Sequence, residues 1–288
     1  MRKYMKYEVK GNYRFILGIL AIIIIASTII QANILKEVNK DYTNMQGQFT
    51  FMDFLLIVAV FVMFGAFLVA FFRIIGSFRN ELYDDRGYLT FTLPLTGNQI
   101  LGAKLVVAVL WIVVLALVMI LYNLLLAIIL FDIDWSMLKE ALEYFLMGKE
   151  HFGIFIRIIS IHLLLGGISL FGTLILIFFS MALGKVSIKN KKIGGLWFIL
   201  FIIISVAASY LTVVAGNLLP LFLDLESFKF ISMSTPWLNS SYGIAYNVVD
   251  GAVSFLTHIS LTRVLMEILI YTAAFISTGY LIEKKIDL

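Results

Sequence analysis

The chain contains no cysteine, only three prolines and few charged residues. The absence of cysteine excludes disulfides and thiolate metal sites, and it leaves the redox compartment undetermined. Charged residues make up 14% of the 288 residues and hydrophobic residues 61%, whereas about a quarter of a soluble domain is charged. No water-soluble fold could bury this much apolar surface, so we exclude a soluble protein.

Catalytic and nucleotide-binding motifs are missing as well. The pattern G-x-x-x-x-G-K followed by Ser or Thr does not occur, so the chain cannot build a P-loop. Neither H-E-x-x-H nor paired aspartates within apolar runs are present, which argues against an intramembrane protease. We therefore expect a protein that is not an enzyme by itself and that carries no cofactor or metal.

Six apolar segments approach the roughly 20 residues that a helix needs to cross the hydrocarbon core of a bilayer. They are residues 15–30, 54–72, 100–131, 154–183, 196–215 and 264–282. The third and fourth are too long for an untilted crossing and should tilt or project into water. The predicted fold class is an all-α integral membrane protein, with six transmembrane helices in a single transmembrane domain over residues 1–288.

Lysine and arginine divide unevenly between the two sides that six alternating spans create. One side takes 15 of the 22 basic residues and the other takes 7, while the acidic residues divide 6 against 12. The positive-inside rule places the more basic side in the cytoplasm, together with both termini. Because the cations are dispersed between the apolar runs, they indicate topology and not a nucleic-acid partner.

The N-terminal stretch 3–16 mixes aromatic and basic residues, which predicts an interfacial helix on the cytoplasmic membrane surface. Four lysines between spans four and five are interpreted as topology charges that also touch anionic headgroups of membrane lipid: Lys185, Lys189, Lys191 and Lys192. The external segments are 31–53, 132–153 and 216–263.

Two of these external segments have a predicted structure. Residues 132–153 carry apolar residues at helical spacing, which predicts an amphipathic helix on the outer membrane surface or packed against other external segments. The segment 216–263 is apolar and interrupted by Pro220 and Pro236. It is expected to form a capping structure or short re-entrant helices, because irregular backbone at membrane depth must be buried in protein.

The cytoplasmic loop 73–99 between spans two and three is the most distinctive polar segment. Charged residues crowd its middle, Gly87 follows them, and Pro94 precedes a helix start. Thr96 and Gln99 have the spacing of a capping box, so the third span should begin below the membrane with Lys104 snorkelling toward water. A simple alternative is a well-capped cytoplasmic turn.

Aromatic and apolar residues interleave with the charges of this loop, among them Tyr83, Tyr88, Phe91 and Leu93. A solvated turn has no need of such residues. Exposed aromatic side chains beside mixed charge are typical of a protein-docking surface. We therefore interpret the loop as a contact for another protein.

Residues 82–105, with the sequence LYDDRGYLTFTLPLTGNQILGAKL, resemble a loop found in permease subunits of bacterial ATP-binding cassette (ABC) transporters. The similar loop lies between spans two and three in the type-2 exporter class, particularly in Firmicutes. The matching positions are Tyr88-Leu89, Leu93-Pro94, Thr96 and Ala103-Lys104. The six-span plan and the interfacial N-terminal helix are also similar, so the architectural likeness covers nearly the whole chain.

The resemblance implies a type-2 ABC exporter-like transmembrane domain in the bacterial cytoplasmic membrane. It further implies a second permease subunit, identical or homologous, and a separate cytoplasmic ATPase subunit that holds ATP and Mg. A hydrophobic or amphipathic substrate such as a peptide, drug or lipid would be exported, although the resemblance does not extend to its identity. The implied ATPase contact consists of Arg79, Glu81, Tyr83, Asp84, Asp85, Arg86 and Tyr88.

Polar residues within the spans suggest few ion-pathway groups. The ionisable candidates sit near span ends: Arg73, Lys104, Arg157, His162, Arg263 and Glu267. Deeper polar residues are neutral and are explained mostly by hydrogen bonds between helices, while Asn123, Thr173 and Ser209 are candidates to line a pathway. A secondary transporter ranks third, because neither an internal repeat nor a buried acid is present. The rival hypothesis is a non-transporting membrane scaffold or sensor that recruits a cytoplasmic regulator.

Overall fold

The computed structural model describes residues 1–38, 51–83, 94–130, 136, 139–140, 143, 149–187, 195–232, 247–249, 252–254 and 258–284. Its long helices are Arg2–Val38 (α1), Phe51–Tyr83 (α2), Gly97–Leu130 (α3), Lys149–Ser187 (α4), Leu196–Leu218 (α5) and Leu261–Lys284 (α6). Its strands all lie between α5 and α6: Leu221–Asp224 (β1), Phe230–Ser232 (β2), Asn247–Val249 (β3), Ala252–Ser254 (β4) and His258–Ser260 (β5).

Six helices in the described part of the chain are long and apolar enough to cross a membrane. Hydrocarbon offers no hydrogen-bond partner to the backbone, and a helix satisfies its backbone groups internally. The predicted all-α fold with six spans is therefore confirmed, and the chain is a multi-pass membrane protein.

Helices α1, α2 and α4 extend beyond the predicted apolar spans. Helix α1 has 37 residues and α4 has 39, so each is about 55 Å long, against a hydrocarbon core of about 30 Å. The predicted interfacial N-terminal helix and the first span are one unbroken helix, because neither Gly11 nor Asn12 interrupts the helical hydrogen bonds. Instead, the Asn12 side chain donates to the Glu8 carbonyl in the preceding turn, at 3.4 Å.

The chain forms two compact units, and helices α2 and α3 each pass through both. The first unit comprises Met1–Phe78 and Gly102–Glu143, and the second comprises Arg79–Leu101 and Tyr144–Leu288. The core of the first unit consists of apolar side chains from α1, α2 and α3, including Ile16, Ile23, Ile75, Phe78, Leu105 and Leu115.

In the second unit, helices α4, α5 and α6 pack against one another. Gly172 on α4 lies directly against the aromatic ring of Tyr271 on α6. The hydroxyl of Tyr271 is hydrogen-bonded to Ser169, one turn before this glycine. On α5, Gly216 makes room for the buried side chain of Arg263, which interacts electrostatically with Glu267 as the four-residue spacing predicts. Glycine thus allows bulky polar side chains to fit between spans.

The described residues between α5 and α6 form short strands, so of the two predicted alternatives, a capping structure or short re-entrant helices, the helices are wrong there. Strands β2, β1 and β5 make an antiparallel sheet in that order, and β3 pairs with β4. Helix α5 ends at Leu218, two residues before Pro220, whose ring cannot continue a helix. The residues that follow satisfy their backbone groups across strands, with Phe222 opposite both Ile231 and Ser260.

A tight turn between β1 and β2 is fixed by Asp224 and by Arg157 of α4. The Asp224 carboxylate accepts hydrogen bonds from the Glu226 and Ser227 amides at 3.0 and 3.2 Å, and from the Ser227 hydroxyl at 2.6 Å. The Arg157 guanidinium donates to the Leu225 and Glu226 carbonyls. It also lies 5.5 Å from the ring centroid of Phe228, which has a positive φ of 56°.

The surroundings of the Asp224 carboxylate favour its ionised form. Partial burial by itself raises the pKa of Asp224, but the hydrogen bonds from Ser227 and Glu226 and the nearby His258 ring outweigh it and lower the pKa below its ordinary value. His258 Nε2 lies 4.0 Å from a carboxylate oxygen. The ionised carboxylate therefore stabilises the turn.

This turn generates a prediction on acid stability. A folded pKa below that of the unfolded chain means that the contribution of Asp224 is present above the unfolded pKa and is lost as pH falls through the folded pKa. Asp224→Asn should lower the free energy of unfolding at neutral pH by roughly 1 kcal/mol. In detergent, it should also flatten the acid limb of the plot of melting temperature against pH. Glu226→Gln, on an exposed neighbour, is the control, and an unchanged acid limb in Asp224→Asn would contradict this assignment.

Packing at Gly172 generates a second prediction. A methyl group there would collide with the Tyr271 ring, so Gly172→Ala should lower the free energy of unfolding by about 1–3 kcal/mol. Gly166→Ala, on the same helix with open space around it, should be neutral or stabilising. Thermal unfolding in detergent measures both, and equal stability of the two variants would show that the ring contact does not constrain the packing.

Candidate functional site

The segment Arg79–Leu101 belongs to the second unit and contains the loop that the sequence singles out. Helix α2 ends in it at Tyr83, and helix α3 begins at Gly97. Of the predicted contact residues, Arg79 is exposed, while Glu81 and Tyr83 are half-buried. Asp84, Asp85, Arg86 and Tyr88 lie outside the described residues.

The start of α3 has the predicted capping box. The Thr96 hydroxyl accepts from the Gln99 amide at 3.3 Å, and the Gln99 side-chain oxygen accepts from the Thr96 amide at 3.2 Å. These reciprocal bonds satisfy two backbone donors that an uncapped helix leaves without partners. The prediction from the Thr-x-x-Gln spacing is confirmed.

The last turn of α6 holds the first turn of α3. Glu283 accepts a hydrogen bond from the Gly97 amide at 2.6 Å, so a carboxylate sits at the positive end of the α3 dipole. The two backbones are in close contact, because a Cβ on Gly97 would lie 2.5 Å from the Gly279 carbonyl oxygen. The Asn98 side chain occupies the space that a side chain at position 279 would fill, so Gly279 is needed there.

The last residue of α2 is held by α4. The Tyr83 hydroxyl donates to the Met181 carbonyl at 3.1 Å, and the ammonium of Lys185 lies 5.4 Å from the centroid of the tyrosine ring. The lack of a side chain at Gly184 leaves space for the Tyr83 hydroxyl, since a Cβ there would lie 3.0 Å from its oxygen. The two helix ends that flank residues 84–93 are therefore fixed to α4 and α6. We call these two contacts, Tyr83–Met181 and Gly97–Glu283, the loop anchors.

The first unit holds a buried ion pair between Glu8 and Lys104. Lys104 follows the segment Arg79–Leu101 in sequence, and Ser77, which also bonds Glu8, precedes it. The Lys104 ammonium lies 2.9 Å from one Glu8 oxygen, and the Ser77 hydroxyl donates to the other at 2.9 Å. Lys104 also donates to the Ser77 hydroxyl at 3.2 Å and lies 5.8 Å from the Tyr4 ring centroid. Only 4% of Lys104 is exposed.

The prediction that Lys104 snorkels toward water is therefore wrong. A carboxylate from α1 and a hydroxyl from α2 surround its ammonium, and this environment replaces water as the partner of the charge. The sequence pattern around Glu8 did not predict this role for it. A signal was present, because Glu8 is the one acidic residue among the first 36.

Among the three candidate pathway residues, Asn123 makes contacts between helices. Its side-chain nitrogen donates to the Ser27 hydroxyl at 3.2 Å, and its oxygen accepts from Gln31 at 3.4 Å, both on α1. Next to it, the hydroxyls of Thr28 and Tyr122 lie 2.7 Å apart. Asn123 thus makes the kind of hydrogen bond between helices that explains most deeper polar residues, and its place in a pathway stays a prediction.

Thr173 and Ser209 differ from Asn123. The Thr173 hydroxyl donates to the Ser169 carbonyl of its own helix at 2.8 Å. Ser209 is exposed, and its carbonyl accepts from the Thr212 hydroxyl one turn later. These two bonds are local to α4 and α5, so they do not support the expectation of bonds between helices at these positions.

Within the described part of the chain, no group of three or more His, Asp or Glu side chains is arranged to hold a metal ion. An apolar cavity of about 320 Å³ lies in the first unit, lined by α1 and α2.

Comparison with known protein families, curated proteins and solved structures finds no match to this chain.

The buried ion pair generates a prediction on stability. Glu8→Gln leaves the Lys104 charge buried without its counter-charge, which should lower the free energy of unfolding by roughly 3–5 kcal/mol. The double variant Glu8→Met with Lys104→Met removes both charges and should recover most of that loss. Thermal unfolding in detergent measures these effects.

The matched control is an exposed pair of the same charges. Lys139 and Glu143 lie 3.9 Å apart with side chains 77% and 56% exposed, so Glu143→Gln should change stability little. If Glu8→Gln and Glu143→Gln had equal effects, the pair with Lys104 would not be the stabilising contact that its burial indicates.

Proposed function

We propose that this chain is the membrane-spanning permease subunit of a bacterial ABC exporter, with both termini in the cytoplasm. It pairs with a second permease subunit and uses ATP hydrolysed by a separate ATPase subunit, which holds ATP and Mg. The transported molecule is hydrophobic or amphipathic, as the resemblance implies. The proposal starts from the resemblance of residues 82–105 to the cytoplasmic loop of such permeases.

The loop anchors are the observation that supports this proposal best. A docking segment can transmit force only if its two ends are fixed to the elements that must move. Here α2 is attached to α4 at Tyr83, and α3 is attached to α6 at Gly97, at the two ends of the segment 84–96. Charged residues thus lie between two fixed points.

Force on the loop would follow these contacts. When the ATPase subunits close, they push on Asp84, Asp85 and Arg86, and the push reaches α4 through the Tyr83 bond and α6 through Glu283. The ATPase binds the arrangement of spans that fits its closed form more tightly, and this differential affinity shifts the population of the permease. In this mechanism Tyr83 positions the loop, because its hydroxyl is already bonded within the chain.

Assembly tests the proposal first. The chain should co-purify with an ABC ATPase encoded beside it and stimulate that ATPase. Replacing Asp84, Asp85 and Arg86 together by alanine should weaken assembly or reduce stimulated ATP hydrolysis by about tenfold or more, since charged pairs at a protein interface cost 2–5 kcal/mol when broken. Glu140→Gln, an exposed acid elsewhere in the chain, is the control.

Two results would contradict the proposal. Unchanged assembly and hydrolysis in the triple variant would remove the loop from the ATPase contact. Recovery of a signalling or division protein in place of an ATPase would favour the scaffold or sensor hypothesis.

The loop anchors can be tested separately from assembly. Glu283→Ala removes the acceptor of the Gly97 amide and should leave the ATPase bound while reducing stimulated hydrolysis several-fold. Glu283→Gln keeps an oxygen acceptor and should restore most of the stimulation. Equal stimulation in the alanine and glutamine variants, with binding intact in both, would show that this contact carries no force.

A further inference from the structure

The N-terminal part of α1 carries five cations on one exposed face. They are Arg2, Lys3, Lys6, Lys10 and Arg14, and all five side chains are exposed. At about 100° per residue, these positions fall within about 120° of the helix circumference. We call this surface the basic face.

The opposite side of the same turns is built differently. Glu8 lies about 160° around the helix from Lys10, where it is bonded to Lys104 and Ser77. Asn12 and Ile16 continue this buried side. The ion pair therefore fixes the rotation of α1 and keeps the one acid of this region away from the basic face.

Membrane topology alone does not explain this arrangement. The positive-inside rule requires cations on one side of the bilayer, and it makes no demand on which face of a helix they occupy. Segregation of five cations from the single acid produces a local surface with one sign of charge. Such a surface is complementary to a polyanion.

The position of the basic face favours lipid over a soluble polyanion. It lies on the same unbroken helix as the first span, and Arg14 directly precedes the apolar run that begins at Phe15. The Arg73 guanidinium lies 5.1 Å from the Phe15 ring centroid, so aromatic and cationic groups meet at this level, as they do at membrane interfaces.

The length of α1 brings the basic face toward the bilayer surface. A helix of about 55 Å exceeds the hydrocarbon core and adapts by tilting. Tilt moves one face of the projecting end toward the headgroups. Tyr7 is 73% exposed and lies beside this face, about 20° around the helix from Arg14, where an amphipathic aromatic ring would enter the interface.

We propose that the basic face of α1 is a binding surface for anionic lipid headgroups. Its five cations contact headgroup phosphates, and the Glu8–Lys104–Ser77 cluster holds the face in the orientation that binds them. The interaction is electrostatic, so it weakens as salt rises. It concerns the permease chain alone and does not depend on an ATPase.

The test uses the full chain in nanodiscs of phosphatidylcholine, with and without phosphatidylglycerol. Phosphatidylglycerol should raise the unfolding temperature of the unmodified chain, and mass spectrometry should detect the lipid retained by the protein at low salt. The variant Lys3→Gln with Lys6→Gln and Lys10→Gln should retain at least about tenfold less of this lipid and should lose the temperature shift.

A matched control removes three exposed cations elsewhere: Lys36→Gln, Lys139→Gln and Lys229→Gln. It changes the net charge equally and should keep both the retention and the shift. Equal losses in the two triple variants would overturn the proposal, since net charge would then be the cause. Retention that is insensitive to salt would also overturn it. So would the absence of any phosphatidylglycerol effect on the unmodified chain, the result expected if the basic face binds an acidic protein.

Discussion

Every polar group that enters hydrocarbon must find its partner within the protein, because lipid offers none. The long helices meet this constraint for the backbone, and several side chains within them meet it through local hydrogen bonds. Thr173 and Thr278 donate to carbonyls four residues earlier, and Asn123 bonds both its own helix and Ser27. The rest of the structure depends on this requirement, including where glycine is needed for polar side chains to fit.

Charged residues meet the same constraint near the helix ends. Burying Lys104 carries a desolvation cost that only a close counter-charge can offset, and Glu8 supplies it at 2.9 Å. Glu283 meets the Gly97 amide in a comparable way at the start of α3. Both contacts tie residues close to the loop between α2 and α3 to other helices. The need to pair buried polar groups thus produces contacts between helices on both sides, in sequence, of the segment that we propose contacts a partner.

Predictions from local patterns succeeded where the determining contacts are local. The six apolar runs gave six helices, and the Thr96–Gln99 spacing gave the capping box, because backbone hydrogen bonds reach only a few residues along the chain. Of the two alternatives for residues 216–263, the re-entrant helices are not found in the described strands, since Phe222 pairs with Ser260 far along the chain. Lys104 was also misjudged, because its partner Glu8 is 96 residues away.

The sequence by itself therefore determined the class of protein, the number of spans and the cap of α3, since hydropathy and capping act over one helix at a time. Only the tertiary structure decided that Glu8 is held by Lys104, that Tyr83 is bonded to α4, and that Glu283 caps a helix 186 residues before it. The shared face of the α1 cations follows from helical periodicity, and the tertiary structure added that the acid opposite them is bonded to Lys104 and Ser77. Contacts between distant residues follow from how helices pack, and no periodicity within one helix encodes them.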